Sequence, residues 1–144
     1  MKRMNYRYLF RGKRVDTGEW VIGQLSGFVI AECSKGVWTN NVLSCLAYEV
    51  EPDSIGQCTG LRYENGDFIF EGDIIEFNGN KGIIKWSYDE HDTWGFQCGF
   101  ILDWKYGCMM RKDLCYWALI RNKDIAIIGN LHDNPELFKG SEPE

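Results

Sequence analysis

The feature that most constrains the fold is the stretch between residues 50 and 77, in which residues that favour turns recur every few positions. Short runs rich in β-branched and aromatic residues alternate there with residues that favour turns, namely Pro52, Gly56, Gly60, the pair Asn65-Gly66 and the triplet Glu71-Gly72-Asp73. Short runs of this kind, bounded by Gly, Asn and Pro, are typical of strands joined by tight turns. The pattern therefore predicts a β fold, and it specifies no reaction.

The clearest turn signal is Asn65-Gly66, which separates residues 61–64 from residues 67–70. A two-residue type I′ turn needs positive φ at both central positions, and Asn-Gly adopts that conformation readily. We therefore predict a hairpin with this turn, in which Tyr63 faces Phe68 across the ladder.

Alternation also predicts a hairpin near the amino terminus. Over residues 6–12 it places Tyr6, Tyr8 and Phe10 on one face, which we expect to be the buried one. The turn at residues 16–18 then leads to a return strand over residues 19–24. A second hairpin is predicted from residues 27–31 and 37–39, and residues 41–50 are interpreted as strand or irregular structure.

The second half of the sequence predicts five further strands, at residues 73–77, 82–86, 94–104, 116–121 and 125–128. Closure into a small barrel would protect the edges of so short a sheet. Only the end is predicted to be helical, over residues 133–138, because Asn134 suits an N-cap and Pro135 the first helical position. The resulting division is an amino-terminal β subdomain at residues 1–66 and a barrel domain at residues 67–144, with a short helix and a frayed tail.

The charge is unevenly distributed along the 144 residues. The net charge is −5, yet the first fourteen residues hold six cations and no acid, so the remaining 130 residues carry −11. Cations interleaved with aromatic residues can track phosphates and stack on bases. This pattern makes nucleic-acid binding through Arg7, Arg11, Lys13 and Arg14 an alternative function, which the acidic remainder of the chain opposes.

The six cysteines do not suggest a disulfide framework or a zinc site. The first residues lack the apolar segment of a signal peptide, so we expect the chain in a reducing compartment, the cytoplasm. Zinc sites usually contain pairs spaced C-x-x-C, and the sequence has none. We interpret the cysteines as free thiols that pack as small apolar residues, and we expect no cofactor and no membrane-spanning segment.

Five motifs between residues 50 and 77 resemble the YopX family of phage and prophage proteins: Pro52, Ile55-Gly56-Gln57, Thr59-Gly60-Leu61, Asn65-Gly66 and Glu71-Gly72-Asp73-Ile74. Residues 8–12, 20–23, 127–131 and 134–137 extend the resemblance to the two ends of the chain. The resemblance implies an all-β protein whose carboxy-terminal half is an SH3-like barrel, made in the bacterial cytoplasm. It implies no catalytic or binding residues.

Two clusters of acidic residues are candidate metal sites. Glu71 and Asp73 could bind a divalent cation, although Gly72 and Asp73 equally suit a turn. Asp89, Glu90, His91 and Asp92 form the one place where a histidine stands among carboxylates, in a predicted loop, and a metal-dependent enzyme that uses this loop is a second alternative function.

The main functional hypothesis is a non-enzymatic binding or self-assembly module that acts on a host or phage macromolecule. Six Trp, seven Tyr and eight Phe exceed what one small core needs. Trp38, Trp94 and Trp104 are therefore candidate interface residues, because aromatic residues are enriched at interfaces. The alternative for these tryptophans is a place in the core. We expect a homo-oligomer.

Overall fold

The structure, a computed structural model, describes residues 8–39, 42–92, 95–106 and 110–139. Side chains are described for these residues except at 33–39, 42–46, 88–92, 95–98 and 138–139. The chain divides into two compact units, Met1–Gly60 and Leu61–Glu144. The sequence-based boundary, after residue 66, lies six residues later, beyond the end of the strand in which the chain passes from one unit to the other.

The fold is all-β, as predicted, with ten strands and two short α-helices in the described residues. The strands are β1 (Phe10–Lys13), β2 (Trp20–Ser26), β3 (Val29–Thr39), β4 (Val42–Glu49), β5 (Gly56–Arg62), β6 (Phe68–Phe70), β7 (Asp73–Phe77), β8 (Asn80–Asp92), β9 (Gly95–Trp104) and β10 (Ala126–Asn130). The helices are α1 (Leu114–Leu119) and α2 (Pro135–Lys139). Neither helix has the length and apolarity that crossing a membrane requires.

The first unit is an antiparallel sheet with strand order β4-β3-β2-β1-β5. The predicted amino-terminal hairpin is confirmed, since β1 pairs with β2 from Phe10 opposite Gly23 to Lys13 opposite Trp20. The inward face of the sheet forms a small core of Val21, Ile30 and Val50, against which four partly buried apolar residues pack. Alternation along β1 and β2 thus directs one set of side chains to this core and the other to solvent.

One prediction for this unit is confirmed only in part, and one is wrong. Of the expected buried aromatic face of residues 6–12, Phe10 packs partly buried against the core, whereas Tyr8 precedes β1 and is 71% exposed; Tyr6 lies outside the described residues. β3 is one strand with a register shift against β4 between Glu32 and Val37, where a hairpin turn was expected. The chain turns instead between β2 and β3, at Gly27, whose φ of 61° suits a residue without a side chain.

The second unit contains a four-stranded antiparallel sheet with strand order β10-β7-β8-β9. Its core contains ten buried residues: Tyr63, Ile69, Ile75, Ile84, Leu102, Trp104, Leu114, Trp117, Ala118 and Ile125. The strand order leaves β10 and β9 at opposite ends of the sheet, so closure into an SH3-like barrel stays a prediction.

The hairpin between β5 and β6 is confirmed, but its predicted turn type is wrong. Tyr63 N–H donates to the Asp67 carbonyl at 2.8 Å, which leaves three residues in the loop. Gly66 has φ 96°, and Asn65 is not among the residues with positive φ. A three-residue loop that ends in a positive-φ glycine is the usual alternative to type I′. Because of this register, Tyr63 lies opposite Asp67 and not opposite Phe68.

The positive-φ Asn-Gly pair occurs instead between β7 and β8. Asn78 has φ 50° and Gly79 has φ 81°, and Phe77 pairs with Asn80 across the two-residue loop. Both central residues are therefore in the conformation that a type I′ turn requires.

The prediction that residues 116–121 form a strand is wrong, because α1 occupies residues 114–119. The prediction of a carboxy-terminal helix is confirmed by α2, which begins at Pro135. Asn134 precedes it, and its carbonyl accepts a hydrogen bond from Leu137 N–H at 3.0 Å.

Candidate functional site

The outer edge of the second unit's sheet positions α1. Leu102 N–H, on strand β9, donates to the Lys112 carbonyl at 2.7 Å, and Ile101 forms an isolated antiparallel bridge with Asp113. The segment immediately before the helix therefore runs alongside β9. This attachment fixes where α1 begins.

Two tryptophans hold the same segment from the core side. The indole N–H groups of Trp104 and Trp117 both donate to the Arg111 carbonyl, at 3.0 and 2.7 Å. The two rings contact each other edge to face, with centroids 5.2 Å apart, and Phe77 packs against both. Such aromatic contacts contribute beyond the area that they bury, so the start of α1 is rigidly placed.

The inner face of α1 is apolar, as its spacing requires. Leu114, Trp117 and Ala118 lie at i, i+3 and i+4 and are at most 5% exposed. They pack into the core of the second unit. A short helix of this length is stabilised by such packing and not by intrinsic helix propensity.

The outer face of α1 is also uncharged, and it is open to solvent. We call it the α1 patch; it consists of the exposed Cys115 and Leu119, the exposed C-cap residue Ile120, and Tyr116, which is partly buried against the core. Leu119 is 69% exposed and Ile120 is 71% exposed, and Cys115 is an exposed free thiol. A helix whose two faces are both apolar buries one face and leaves the other uncovered.

Tyr116 lies on this face and is held from both sides by arginines. The Arg111 guanidinium stands over its ring, 4.3 Å from the centroid, and the Arg121 guanidinium donates to its hydroxyl at 3.2 Å. Its ring meets Trp117 edge to face with centroids 5.2 Å apart. The orientation of the tyrosine is therefore fixed by contacts within its own chain.

Each of these arginines is neutralised by a neighbouring aspartate. Arg111 forms a two-pronged pair with Asp113, with N–O distances of 3.0 and 2.9 Å, and Arg121 pairs with Asp124. Hydrogen bonds to these carboxylates raise the pKa of both guanidinium groups above their ordinary value. Lys112 and Lys123 lie in the same two segments, so the rim of the α1 patch carries charge of both signs.

The first unit carries the cations that the sequence singled out. Arg11 and Lys13 are two residues apart on β1 and both lie over the Trp20 ring, 5.0 and 5.8 Å from its centroid. Lys13 is directly opposite Trp20 in the ladder, which places both on the same face of the sheet. Arg7 lies outside the described residues.

Arg14 is committed to contacts within its own chain. Its guanidinium makes two hydrogen bonds to Asp16, at 2.9 and 2.7 Å, and stands 4.0 Å from the centroid of the Tyr48 ring. The hydrogen bond between Arg14 and Asp16 raises the pKa of the arginine and lowers that of the aspartate. A phosphate would therefore compete with an existing carboxylate for this side chain.

Of the three candidate interface tryptophans, the structure describes the side chain of one. Trp104 is 8% exposed and belongs to the core of the second unit, which is the alternative that the sequence left open. Trp38 lies in β3, where its side chain is not described, and Trp94 lies outside the described residues.

The predicted acidic loop is not a loop. Residues 89–92 end strand β8, where Asp89 pairs with Gln97 and Asp92 with Gly95, and their side chains are not described. Among the side chains that are described, no three His, Cys, Asp or Glu residues come together as metal ligands would. A metal-dependent enzyme that uses Asp89, Glu90, His91 and Asp92 stays a prediction.

Asp73, the other acidic candidate, is fully buried. Its Oδ2 atom accepts hydrogen bonds from Phe70 N–H at 2.9 Å and from the Tyr63 hydroxyl at 2.6 Å. These contacts support the turn role that the sequence offered as the alternative to metal binding.

Sequence reasoning missed the α1 patch because it assigned residues 116–121 to a strand. A strand buries alternate residues, so that assignment places only every second apolar side chain of the run in solvent. On a helix the same seven uncharged residues, 114–120, cannot all face the core. The length of the uncharged run was therefore the signal that could have revealed an exposed apolar surface.

Comparison with known proteins gives the chain a family. A search of curated proteins found no match. A family model described as YopX protein matches residues 9–139. The match covers most of both units, including residues 50–77 and the α1 patch. The chain belongs to the YopX family.

Proposed function

We propose that the chain is a non-enzymatic accessory protein of a phage or prophage, made in the bacterial cytoplasm, that acts by binding a protein through the α1 patch. The observation that carries the proposal is the exposure of two adjacent aliphatic side chains, Leu119 at 69% and Ile120 at 71%. Leu119 is the last residue and Ile120 the C-cap of a helix that already buries its other face.

The composition of the α1 patch favours a protein partner. Burying apolar surface contributes about 25 cal/mol for each Å² removed from water, and tyrosine is among the residues that most often dominate interface energies. Tyr116 is oriented by Arg111 and Arg121, which lowers the entropy lost on binding. The two rim arginines, Arg111 and Arg121, are each paired with an aspartate, which weakens their attraction to a polyanion.

Site-specific photo-crosslinking tests this proposal. A photoreactive phenylalanine analogue at position 119 should give an adduct with a protein in bacterial cells, and the adduct should be lost when Ile120→Ser is added. The same analogue at Val15, which is 54% exposed in the first unit, is the matched control and should give no adduct. Mass spectrometry identifies the captured chain. If position 119 gives no more protein adduct than position 15, the proposal fails.

Nucleic-acid binding is the second candidate function, and one observation favours it. Arg11 and Lys13 project on one face of β1 beside the Trp20 ring, which is a combination of cations and an aromatic surface suited to single strands. The candidate set also includes Arg14, whose pairing with Asp16 weighs against it, and Arg7.

A mobility-shift assay at low salt distinguishes this second candidate. If it is correct, single-stranded nucleic acid should bind, the affinity should fall steeply as salt rises, and Arg11→Glu should weaken it further. Leu119→Ser, in the other unit, should leave such binding unchanged. The absence of any shift at low salt would remove nucleic-acid binding from consideration.

A further inference from the structure

We propose that Asn78, in the turn between β7 and β8, is a site of spontaneous deamidation, and that the other Asn-Gly pair, Asn65-Gly66, is protected from this reaction by its own hydrogen bonds. The inference does not depend on the α1 patch. Asparagine followed by glycine is the dipeptide most prone to deamidation, because glycine has no side chain to hinder attack by its own amide nitrogen. The sequence contains two such pairs, so the structure around each pair decides which one reacts.

The reaction needs only the chain itself and water. The backbone nitrogen of Gly79 bonds to Cγ of Asn78, and the bond between Cγ and Nδ2 breaks. The proton that the Gly79 nitrogen loses is taken up by Nδ2, which leaves as ammonia. Water then opens the cyclic imide. Opening at Cγ gives aspartate, and opening at the main-chain carbonyl carbon gives isoaspartate, so one water is gained, one ammonia is lost and nothing is oxidised or reduced.

Both reacting groups are available in the β7–β8 turn. Asn78 and Gly79 are exposed. In the part of the chain that the structure describes, neither the Asn78 side-chain amide nor the Gly79 N–H makes a hydrogen bond. The turn is closed by the pairing of Phe77 with Asn80, which leaves the two central residues outside the ladder. The Gly79 nitrogen can therefore lose its proton and the Asn78 amide can turn toward it.

The same two groups are occupied at the β5–β6 turn. Gly66 N–H donates to the Tyr63 carbonyl at 3.0 Å, so the nucleophilic nitrogen is held in a hydrogen bond. Asn65 Oδ1 accepts from Asp67 N–H at 2.9 Å, and Asn65 Nδ2 donates to Asp67 Oδ2 at 3.2 Å. Asn65 and Gly66 are also exposed, so hydrogen bonding and not access to water distinguishes the two turns.

The product differs from the starting chain in two measurable ways. A carboxylate replaces a neutral amide at position 78, which adds one negative charge to a chain that carries −5. An isoaspartyl residue also adds one carbon atom to the main chain of the turn. Isoelectric focusing detects the first change, and peptide mapping by mass spectrometry locates the modified residue.

Peptide mapping of the full chain during incubation at neutral pH and physiological temperature tests the proposal. In the folded chain, the peptide that contains Asn78 should deamidate several-fold faster than the peptide that contains Asn65. In urea the hydrogen bonds of the β5–β6 turn are lost with the fold, so the two sites should then react at similar rates. The unfolded chain thus serves as the control for local sequence.

Two matched variants give an independent readout by isoelectric focusing. Asn78→Gln should prevent most of the acidic species that accumulates in the wild type, because glutamine forms the corresponding ring far more slowly. Asn65→Gln should leave the accumulation unchanged.

Three results overturn the proposal. One is a folded chain in which Asn65 deamidates as fast as Asn78 or faster. Another is a folded chain that stays unmodified at Asn78 over a period in which the unfolded chain reacts at both sites. The third is a rate difference that persists unchanged in urea, since local sequence and not hydrogen bonding would then set it.

Discussion

Replacing Tyr63 with Phe should destabilise the second unit by about 2 kcal/mol. Tyr63 is 7% exposed, and its hydroxyl donates to Asp73 Oδ2 at 2.6 Å. Asp73 is fully buried, so water cannot replace the lost donor without opening the core. The substitution keeps the ring, and with it the packing against the core, and removes only the hydroxyl.

The magnitude follows from what remains after the change. A buried acceptor that loses a hydrogen bond typically costs about 1–3 kcal/mol. Phe70 N–H still donates to the same oxygen at 2.9 Å, so we expect a value in the middle of that range. At the size of this chain the corresponding shift in Tm is roughly 4–8 °C.

Urea unfolding followed by tryptophan fluorescence measures the effect, because Trp104 and Trp117 lie in the same core as Tyr63. The matched control is Tyr106→Phe, a tyrosine of the same unit that is 55% exposed and whose loss should change the free energy of unfolding by less than about 0.5 kcal/mol. A Tyr63→Phe variant as stable as the control variant would refute the assignment of this hydrogen bond to the buried core.

Substitutions at three further positions test local geometry by the same unfolding assay or its pH dependence. Gly66→Val should destabilise by more than about 1 kcal/mol because φ is 96°, while Gly66→Asn, which tolerates positive φ, should lose less; equal losses would contradict the backbone assignment. Gly23→Ala should destabilise the first unit by roughly 3 kcal/mol or more, because a Cβ atom there would lie 1.8 Å from the Ala31 carbonyl oxygen, and a stable variant would mean that β2 and β3 do not approach so closely. Asp16→Asn should remove a stabilisation that exists above the ordinary Asp pKa of 3.8 and disappears as the pH falls through the lower folded-state value that Arg14 imposes; a wild-type advantage that grew on acidification would contradict that sign.

Local sequence predicted the parts of the fold in which short-range chemistry decides the outcome. The turn at residues 16–18 gave the β1–β2 hairpin, because the alternating residues on either side of it pair as expected. Asn134 and Pro135 gave the start of α2 for the same reason, since a helix N-terminus is specified by two or three adjacent residues.

The turn types show where local sequence stops being sufficient. Two Asn-Gly pairs occur, and only the pair at Asn78 and Gly79 has positive φ at both positions. Around Asn65-Gly66 the last pair of the ladder is Tyr63 with Asp67, so three residues are left for the loop. Register depends on the whole ladder and its buried face, which the dipeptide alone does not encode.

The α1 helix, and with it the candidate site, was missed because packing decides its structure. Six residues are too few to form a stable helix by propensity, and Trp117 and Ile120 favour strands as often as helices. The helix exists because Leu114, Trp117 and Ala118 fill the core and because the preceding segment is attached to β9. Those contacts come from distant parts of the sequence.

Hydrogen–deuterium exchange with and without the protein that position 119 captures tests the central claim most directly. If the α1 patch binds this protein, backbone amides of residues 114–121 should exchange more slowly in its presence, and those of the β1–β2 hairpin should not change. Exchange in residues 114–121 that the captured protein leaves unchanged would place the interface elsewhere and contradict the account.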